Sequence, residues 1–333
     1  MFRSIFRAGL ALALVAFAAL APASAQTADP LASWNDGPAK KAIVDFVAAV
    51  TTPGGPDFVP PAERIATFDN DGTLWPEQPV YTQLVFALDR IKALAPANPD
   101  WKDKQPFKAV LEGDMAALMA SGERGGVELL MASHAGMTAA EFSRIVEDWI
   151  AKARHPRFDR PYTDLAYKPM VELMAYLRAN GFKTYIVSGG GVEFMRPWTE
   201  RVYGVPTEQV IGSIIKTRFQ MRDGRPELFR LPQVEFIDDG PGKPVGIAAR
   251  IGARPIAAFG NSDGDIEMLQ WATMSGRRGL GMLIHHTDAG REYAYDNQAQ
   301  FGGIAKALEA AAVNRWTVVS MKDDWKTIFA FDK

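Results

Sequence analysis

The chain has 333 residues, 47% of them hydrophobic and 23% charged, which suits a full apolar core in one or two domains and excludes fibrous and disordered classes. A formal net charge of −2 gives no basic field, so a nucleic-acid partner is not expected. With no cysteine in the sequence, disulfides and a lipidated cysteine are excluded, and stability must come from packing.

Arg3 and Arg7 precede an apolar stretch from Ala8 to about Leu20, and Ala23-Ser24-Ala25 precedes Gln26. A basic start, a short apolar segment and a small-residue site predict a secretory signal peptide over residues 1–25, cleaved after Ala25. The apolar stretch falls short of the ~20 residues a membrane span needs, and no later stretch qualifies. The mature protein is therefore expected to be soluble, without a membrane anchor, and exported, most simply to a bacterial periplasm.

Lys40 to Val50 shows helical spacing, ended by Thr51-Thr52-Pro53-Gly54-Gly55-Pro56. The apolar run Ile65-Ala66-Thr67-Phe68 then reads as a strand that stops at Asp69. From Trp75 to about Asp164 the spacing is helical, including Tyr81 to Leu94, Phe107 to Ala120 and Ala139 to Ala153, with Pro96 to Pro106 as a connection. A helix is expected from Pro169 to Asn180, closed by Gly181 as a left-handed cap, and a strand from Thr184 to Val187. Ser188-Gly189-Gly190-Gly191 reads as a loop before a helix from Val192 to Tyr203. Val210 to Leu231 reads as a hairpin turning at Arg222-Asp223-Gly224-Arg225, Lys243 to Ile251 as a short helix, and Pro255 to Phe259 as a strand ending in a loop over Gly260–Asp265. Leu280 to Ile284 and Thr317 to Val319 are further candidate strands. Alternating strands and helices predict an α/β fold, a three-layer core around a mostly parallel sheet.

Three loops leave three expected strand ends, and their polar residues can meet at one edge of the sheet. In Phe68-Asp69-Asn70-Asp71-Gly72-Thr73, one carboxylate can attack phosphorus and a second can move protons. Asp-Asn-Asp-Gly is also good turn chemistry, so the segment alone leaves both readings open. Ser188 with successive glycine amides at a helix start suits an oxyanion. Lys243 can balance the negative charge. Asn261, Asp263 and Asp265 in the last loop offer oxygens for a hard cation such as Mg²⁺ together with Asp69 and Asp71.

In that order the motifs resemble those of the haloacid dehalogenase (HAD) superfamily of phosphohydrolases, in its phosphoserine-phosphatase-like branch. The resemblance covers roughly residues 60 to 275 and implies a Rossmann-like core over 26–76 and 165–333, with a mobile helical cap inserted over 77–164. It implies Asp69 as nucleophile and Asp71 as general acid/base. Thr73, Ser188, Gly189 and Lys243 would bind phosphate, Lys243 standing 18 residues before Asn261. Asp69, Asp71, Asn261 and Asp265 would hold Mg²⁺. Asn261 departs from the acid expected at its position, so Asp263 or Asp265 are alternative ligands. Asp71 favours a phosphatase over a dehalogenase, because an alkoxide leaving group needs a proton and halide does not.

The expected activity is Mg²⁺-dependent hydrolysis of small phosphomonoesters through an aspartyl-phosphate. Rival readings are a phosphotransferase or phosphomutase, and a non-catalytic periplasmic binder of phosphorylated ligands. Glu77, His134, Arg154, His155 and Arg157 are candidate substrate contacts. Asp238-Asp239 and His285-His286 read as structural.

Overall fold

The computed structural model describes residues 29–296 and 302–332, and the expected signal peptide lies outside them. Ile43, Phe46, Val47 and Val50 bury one face of Pro38–Thr51 (α1), which Pro38 opens at a position where no N–H is needed. Ile65–Phe68 (β1) is buried along its whole length, as a strand inside a parallel sheet must be. Thr82–Leu94 (α2), Phe107–Glu112 (α3), Met115–Ala120 (α4), Gly122–His134 (α5) and Ala139–Ile150 (α6) follow. The single helix expected over 107–120 is two: Gly113 takes φ 73° and closes α3, and Asp114 caps α4 by accepting from Ala117 N. Thr138 and Glu141 start α6 with a reciprocal capping box.

Lys168–Ala179 (α7) is followed by Gly181 at φ 79°, the left-handed closure expected there. Lys183–Gly191 (β2) runs directly into Val192–Tyr203 (α8). The loop expected at Ser188–Gly191 is therefore strand, with an irregular register: Ser188 lies opposite Gly212 and Gly191 opposite Ser213. Its glycine-rich backbone approaches the next strand so closely that a Cβ on Gly212 would stand 2.6 Å from Gly190 O. Val210–Arg222 (β3) and Arg225–Phe236 (β4) form the expected hairpin. Asp223 and Gly224 at its tip have φ of 52° and 73°, the geometry Asp-Gly favours in two-residue hairpin turns. Gly242–Ile251 (α9), Ala257–Gly260 (β5), Ile266–Thr273 (α10), Leu280–His285 (β6), Ala305–Asn314 (α11), Thr317–Ser320 (β7) and Met321–Asp324 (α12) complete the order.

Among the described residues, seven strands form one sheet in the order β4-β3-β2-β1-β5-β6-β7, parallel except for β3 with β4. Alternate strand residues enter two apolar clusters. Ile186, Phe259, Met282 and Ile284 pack with α1, α7 and α8, while Val187, Ala258 and Leu283 pack with α9, α10 and α11. The fold is a three-layer α/β architecture. The strands wind outward from β1 in both directions, so the topological switch lies at the carboxyl ends of β2, β1 and β5, where such sheets bind ligands.

The helices between β1 and β2 do not pack as one separate unit. Phe86 of α2 and Phe142, Val146 and Ile150 of α6 share a cluster with Trp75, Phe194 and Trp198 beside the sheet. Ile91, Phe107, Val110, Leu118 and Leu129 form a second cluster confined to α2–α5. Among the described residues, no helix is long and apolar enough to cross a membrane.

Candidate active site

Asp69 leaves β1 at the switch point, and its N–H donates to Phe259 O over 2.9 Å. Beneath it Phe68 and Phe259 stack with ring centroids 4.4 Å apart, anchoring β1 to β5. The chain then turns through Gly72 at φ 77°. Glycine is required here twice over, since a Cβ would also overlap the Asn261 amide. Trp75, stacked on Trp198 at 4.4 Å, donates its Nε1–H to Asp71 Oδ1 over 2.8 Å. Burial pushes the Asp71 carboxyl up to about 6, with hydrogen bonds from Trp75 and Asn70 opposing it. Asp71 can thus both give and take a proton near neutral pH.

Lys243, on the first turn of α9, is only 2% exposed. Its Nζ lies 2.7 Å from Asp69 Oδ1 and 2.5 Å from Asp265 Oδ1. Burial would discharge the ammonium, but the Asp265 and Asp69 carboxylates outweigh it and hold Lys243 charged. Burial also drives the Asp69 carboxyl well above its ordinary range, with Lys243 pulling it down and Asp265 pushing it up. Asp265 Oδ2 accepts from Asn261 N, Ser262 N and Ser262 Oγ at 2.9, 3.0 and 3.2 Å, so both oxygens are engaged.

At the end of β2, Ser188 Oγ accepts from Gly190 N over 3.1 Å. Gly191 N donates to Gln83 Oε1 at 2.7 Å, and Gln83 Nε2 meets His134 Nε2 at 3.0 Å. Burial lowers the His134 pKa to about 3, so the ring is neutral and its Nε2 accepts from Gln83. His134 Nδ1 faces Ser133 Oγ at 2.7 Å. Ser133 thus fixes the ring through Nδ1 while Nε2 holds Gln83, which ties α2 to the glycine strand.

Asp69, Asp71, Ser188, Gly189 and Lys243 meet at the floor of one cavity of about 480 Å³. The remaining predicted site residues lie behind that floor. Thr73 is fully buried and its Oγ1 donates to Asn261 Oδ1 over 3.1 Å. Asn261 Nδ2 donates to Glu77 Oε1 over 2.8 Å, and Tyr295 OH donates to the same oxygen over 2.7 Å. Glu77 borders the cavity. Burial holds its carboxyl well above the usual range, against the Tyr295 hydrogen bond. Asp263 Oδ1 accepts from Ala307 N at 2.9 Å and helps start α11.

Asp238 is fully buried, and neither carboxylate oxygen has a hydrogen-bond partner among the described residues. Burial raises it to about 7, with Lys243 opposing. Arg154 pairs with Asp159 at 2.7 Å, His155 Nε2 donates to Gln78 O at 2.8 Å, and Arg157 Nη2 donates to Ala289 O at 2.8 Å. None of these three residues is among those that line the cavity.

Two site features have no motif in the sequence. His286 Nε2 donates to Gly72 O over 2.7 Å while Nδ1 lies 3.0 Å from Glu292 Oε2, bracing the turn that carries Asp71. Arg230 of β4, 1% exposed, donates from Nε to His134 O at 2.6 Å and lies 4.1 Å over the Phe142 ring. Its Nη1 is 3.2 Å from Glu193 Oε2, an ion pair without an aligned hydrogen bond.

The donor chemistry fits a hard divalent cation. Four interacting carboxylates, the buried Asp69, Glu77 and Asp265 and the half-buried Asp71, share one ammonium among the described residues, Lys243, and a cation relieves that excess of negative charge. Among the described residues, no three acidic or imidazole side chains are grouped to hold a metal ion. A cation there would need amide or backbone oxygens as well.

Solved structures give distant likenesses. A protein of unknown function from Bordetella pertussis Tohama I is 16% identical, covering 78% of this chain and 99% of that one, with a TM-score of 0.49. A functionally unknown protein from Anaerococcus prevotii DSM 20548 is 16% identical, covering 84% and 91%, with a TM-score of 0.46. A probable phosphoserine phosphatase from Vibrio cholerae is 17% identical, covering 78% and 68%, with a TM-score of 0.36. No curated protein matches the sequence. The family model for haloacid dehalogenase-like hydrolases matches residues 66–270, more than half of the chain and the whole stretch from the Asp69 strand to the Asp265 loop, and the chain belongs to that family.

Proposed function

We propose that the protein is an exported, Mg²⁺-dependent phosphatase that hydrolyses phosphomonoesters through an aspartyl-phosphate, in the phosphoserine-phosphatase-like branch of its family. The observation that carries the reading is Asp71. It is a second carboxyl beside Asp69 in one cavity, raised to about 6, as protonation of an alkoxide leaving group requires.

Asp69 attacks phosphorus, the bond to the ester oxygen breaks, and the proton on Asp71 passes to that oxygen. Asp71, now a carboxylate, takes a proton from the water that attacks the aspartyl-phosphate, which restores both residues and releases phosphate. Lys243 and the Ser188–Gly190 strand end stand where they can receive the phosphoryl oxygens, and Asp265 orients Lys243. Mg²⁺, when bound, supplies positive charge to the phosphoryl group. The Asp69 carboxylate, the Asp71 carbonyl and the Asn261 amide oxygen would hold it. The helices over 77–164 act as a cap, joined to the glycine strand through Gln83.

Phosphate release from a panel of phosphomonoesters, measured with Mg²⁺ and with a chelator, tests this reading. Release that needs Mg²⁺ is expected. A folded protein that releases none from any ester contradicts turnover and favours a phosphate-ester binder. For export, the expected N-terminus in the periplasmic fraction is Gln26, and an intact Met1 there contradicts cleavage.

A further inference from the structure

Beside its charged floor, the cavity has walls built largely of apolar side chains. Leu84 of α2, Leu130 of α5, Phe194 of α8, Ile214 of β3 and Val234 of β4 face the space above Asp71 and Ser188. Toward solvent the wall continues into Val127 and Ile237, which are 41% and 59% exposed although both border the cavity. The charged pair set into this wall is Arg230 with Glu193, and it is matched internally. Arg230 lies against Glu193 at 3.2 Å, donates to His134 O, and covers the Phe142 ring. His134 is neutral. A second phosphate or a carboxylate on the substrate meets an Arg230 already paired with Glu193, while an ammonium could face only Asp239, at the exposed edge of the lining; a charge set against the apolar side chains themselves must give up its water. An apolar group gains by burial against five different elements.

We propose that the site takes monoesters of bulky apolar alcohols, long-chain alkyl or aryl phosphates, with the apolar group seated between α2, α5, α8 and the β3–β4 hairpin. This rests on the phosphatase reading for the chemistry, but the seat for the apolar group stands on the cavity walls alone. Hydrolysis cleaves the phosphorus–oxygen bond, returns the apolar alcohol with the Asp71 proton on its oxygen, and transfers the phosphoryl group to water by way of Asp69.

A homologous series separates the two. Ethyl, butyl, hexyl and octyl phosphate have nearly the same leaving-group basicity, so their hydrolysis differs in burial alone. Their non-hydrolysable counterparts, the n-alkylphosphonates, measure the seat without turnover. Calorimetric titration of the mature protein with the phosphonates in Mg²⁺ is expected to show Kd falling with chain length, by up to about fourfold per methylene for full burial, with increasingly negative heat-capacity change. The phosphate esters are expected to show kcat/KM rising in parallel. Leu130→Asn, checked for folding by its melting curve, is expected to flatten both series.

A phosphonate series that is flat or weakens with length overturns the proposal, whatever the esters do. Graded phosphonate binding with no phosphate released from any ester upholds the apolar seat and overturns the phosphatase reading. Phosphate release that is faster from O-phosphoserine or glycerol 3-phosphate than from octyl phosphate also overturns the proposal, while upholding the phosphatase reading.

Discussion

Asn261 donates its side-chain amide to Glu77 Oε1 across 2.8 Å, so the position where the family expects an acid faces a buried carboxylate. The amide is matched to that neighbour: its oxygen accepts from Thr73 and its nitrogen satisfies Glu77, which fixes its orientation. An acid here would set two carboxylates against each other in a buried cluster that already has one ammonium for four acids.

Asn261→Asp is accordingly expected to destabilise the metal-free protein, by about 1–3 kcal/mol, because a donor is replaced by a second acceptor. Adding Glu77→Gln restores a donor to the pair and is expected to recover most of the loss. Urea unfolding of both single variants and the double variant, in chelator at pH 8, gives the coupling. Losses that simply add would show that the 2.8 Å contact carries no energy.

Trp75 opposes the rise in proton affinity that burial gives Asp71. Its Nε1–H favours the carboxylate, so Trp75→Phe is expected to raise the Asp71 pKa above its value of about 6. Since the first step needs Asp71 protonated, the alkaline fall of kcat/KM should move to higher pH, by about one to two units for a hydrogen bond to a charged group. Phenylalanine keeps an aromatic ring against Trp198, which guards against a packing effect. A limb that stays put or moves down would remove Asp71 from the role of acid.

Asp238 gives a stability signature. Its folded pKa of about 7 stands above the ordinary 3.8, so between those values the folded chain holds more protons than the unfolded one. Stability should therefore fall as pH rises from 4 through 7 and level off above. Asp238→Asn removes that dependence. The variant is expected to gain about 2–4 kcal/mol relative to the parent between pH 4 and pH 8, read from chemical denaturation at each pH. Parallel curves would mean that the carboxylate is ionised or solvated throughout.

Local signals in the chain fixed much of this architecture. The apolar run into Asp69, Gly181 after α7 and Asp223-Gly224 between β3 and β4 each force a backbone outcome on their own, and each is found where the residues place it. Ser188–Gly191 misleads because glycines usually mark turns. Here they allow close approach to β3 at Gly212, a constraint that exists only once the strands are side by side.

The site divides in the same way. Asp69, Asp71 and Lys243 are legible because each follows a strand end or opens a helix, and Ser188 because it ends the apolar part of β2. Gln83 on Gly191, His286 on Gly72 and Arg230 on His134 are contacts between distant segments, invisible to spacing. The one available hint was Arg230 itself, a lone charge in Leu228-Phe229-Arg230-Leu231. The walls of the cavity could not be foreseen, because helix periodicity marks a face as apolar without saying whether it meets the core or a ligand.

Asp69 as nucleophile is the central claim, and acid quenching of the protein during turnover of a phosphomonoester with Mg²⁺, followed by mass spectrometry of the peptide that carries Asp69, tests it most directly. The account predicts a phosphoryl adduct on that peptide, lost by hydrolysis when the quench is delayed until the ester is consumed. It predicts neither adduct nor phosphate release from Asp69→Asn, with folding retained. Substantial phosphate release by folded Asp69→Asn, or an adduct on another residue, would contradict it.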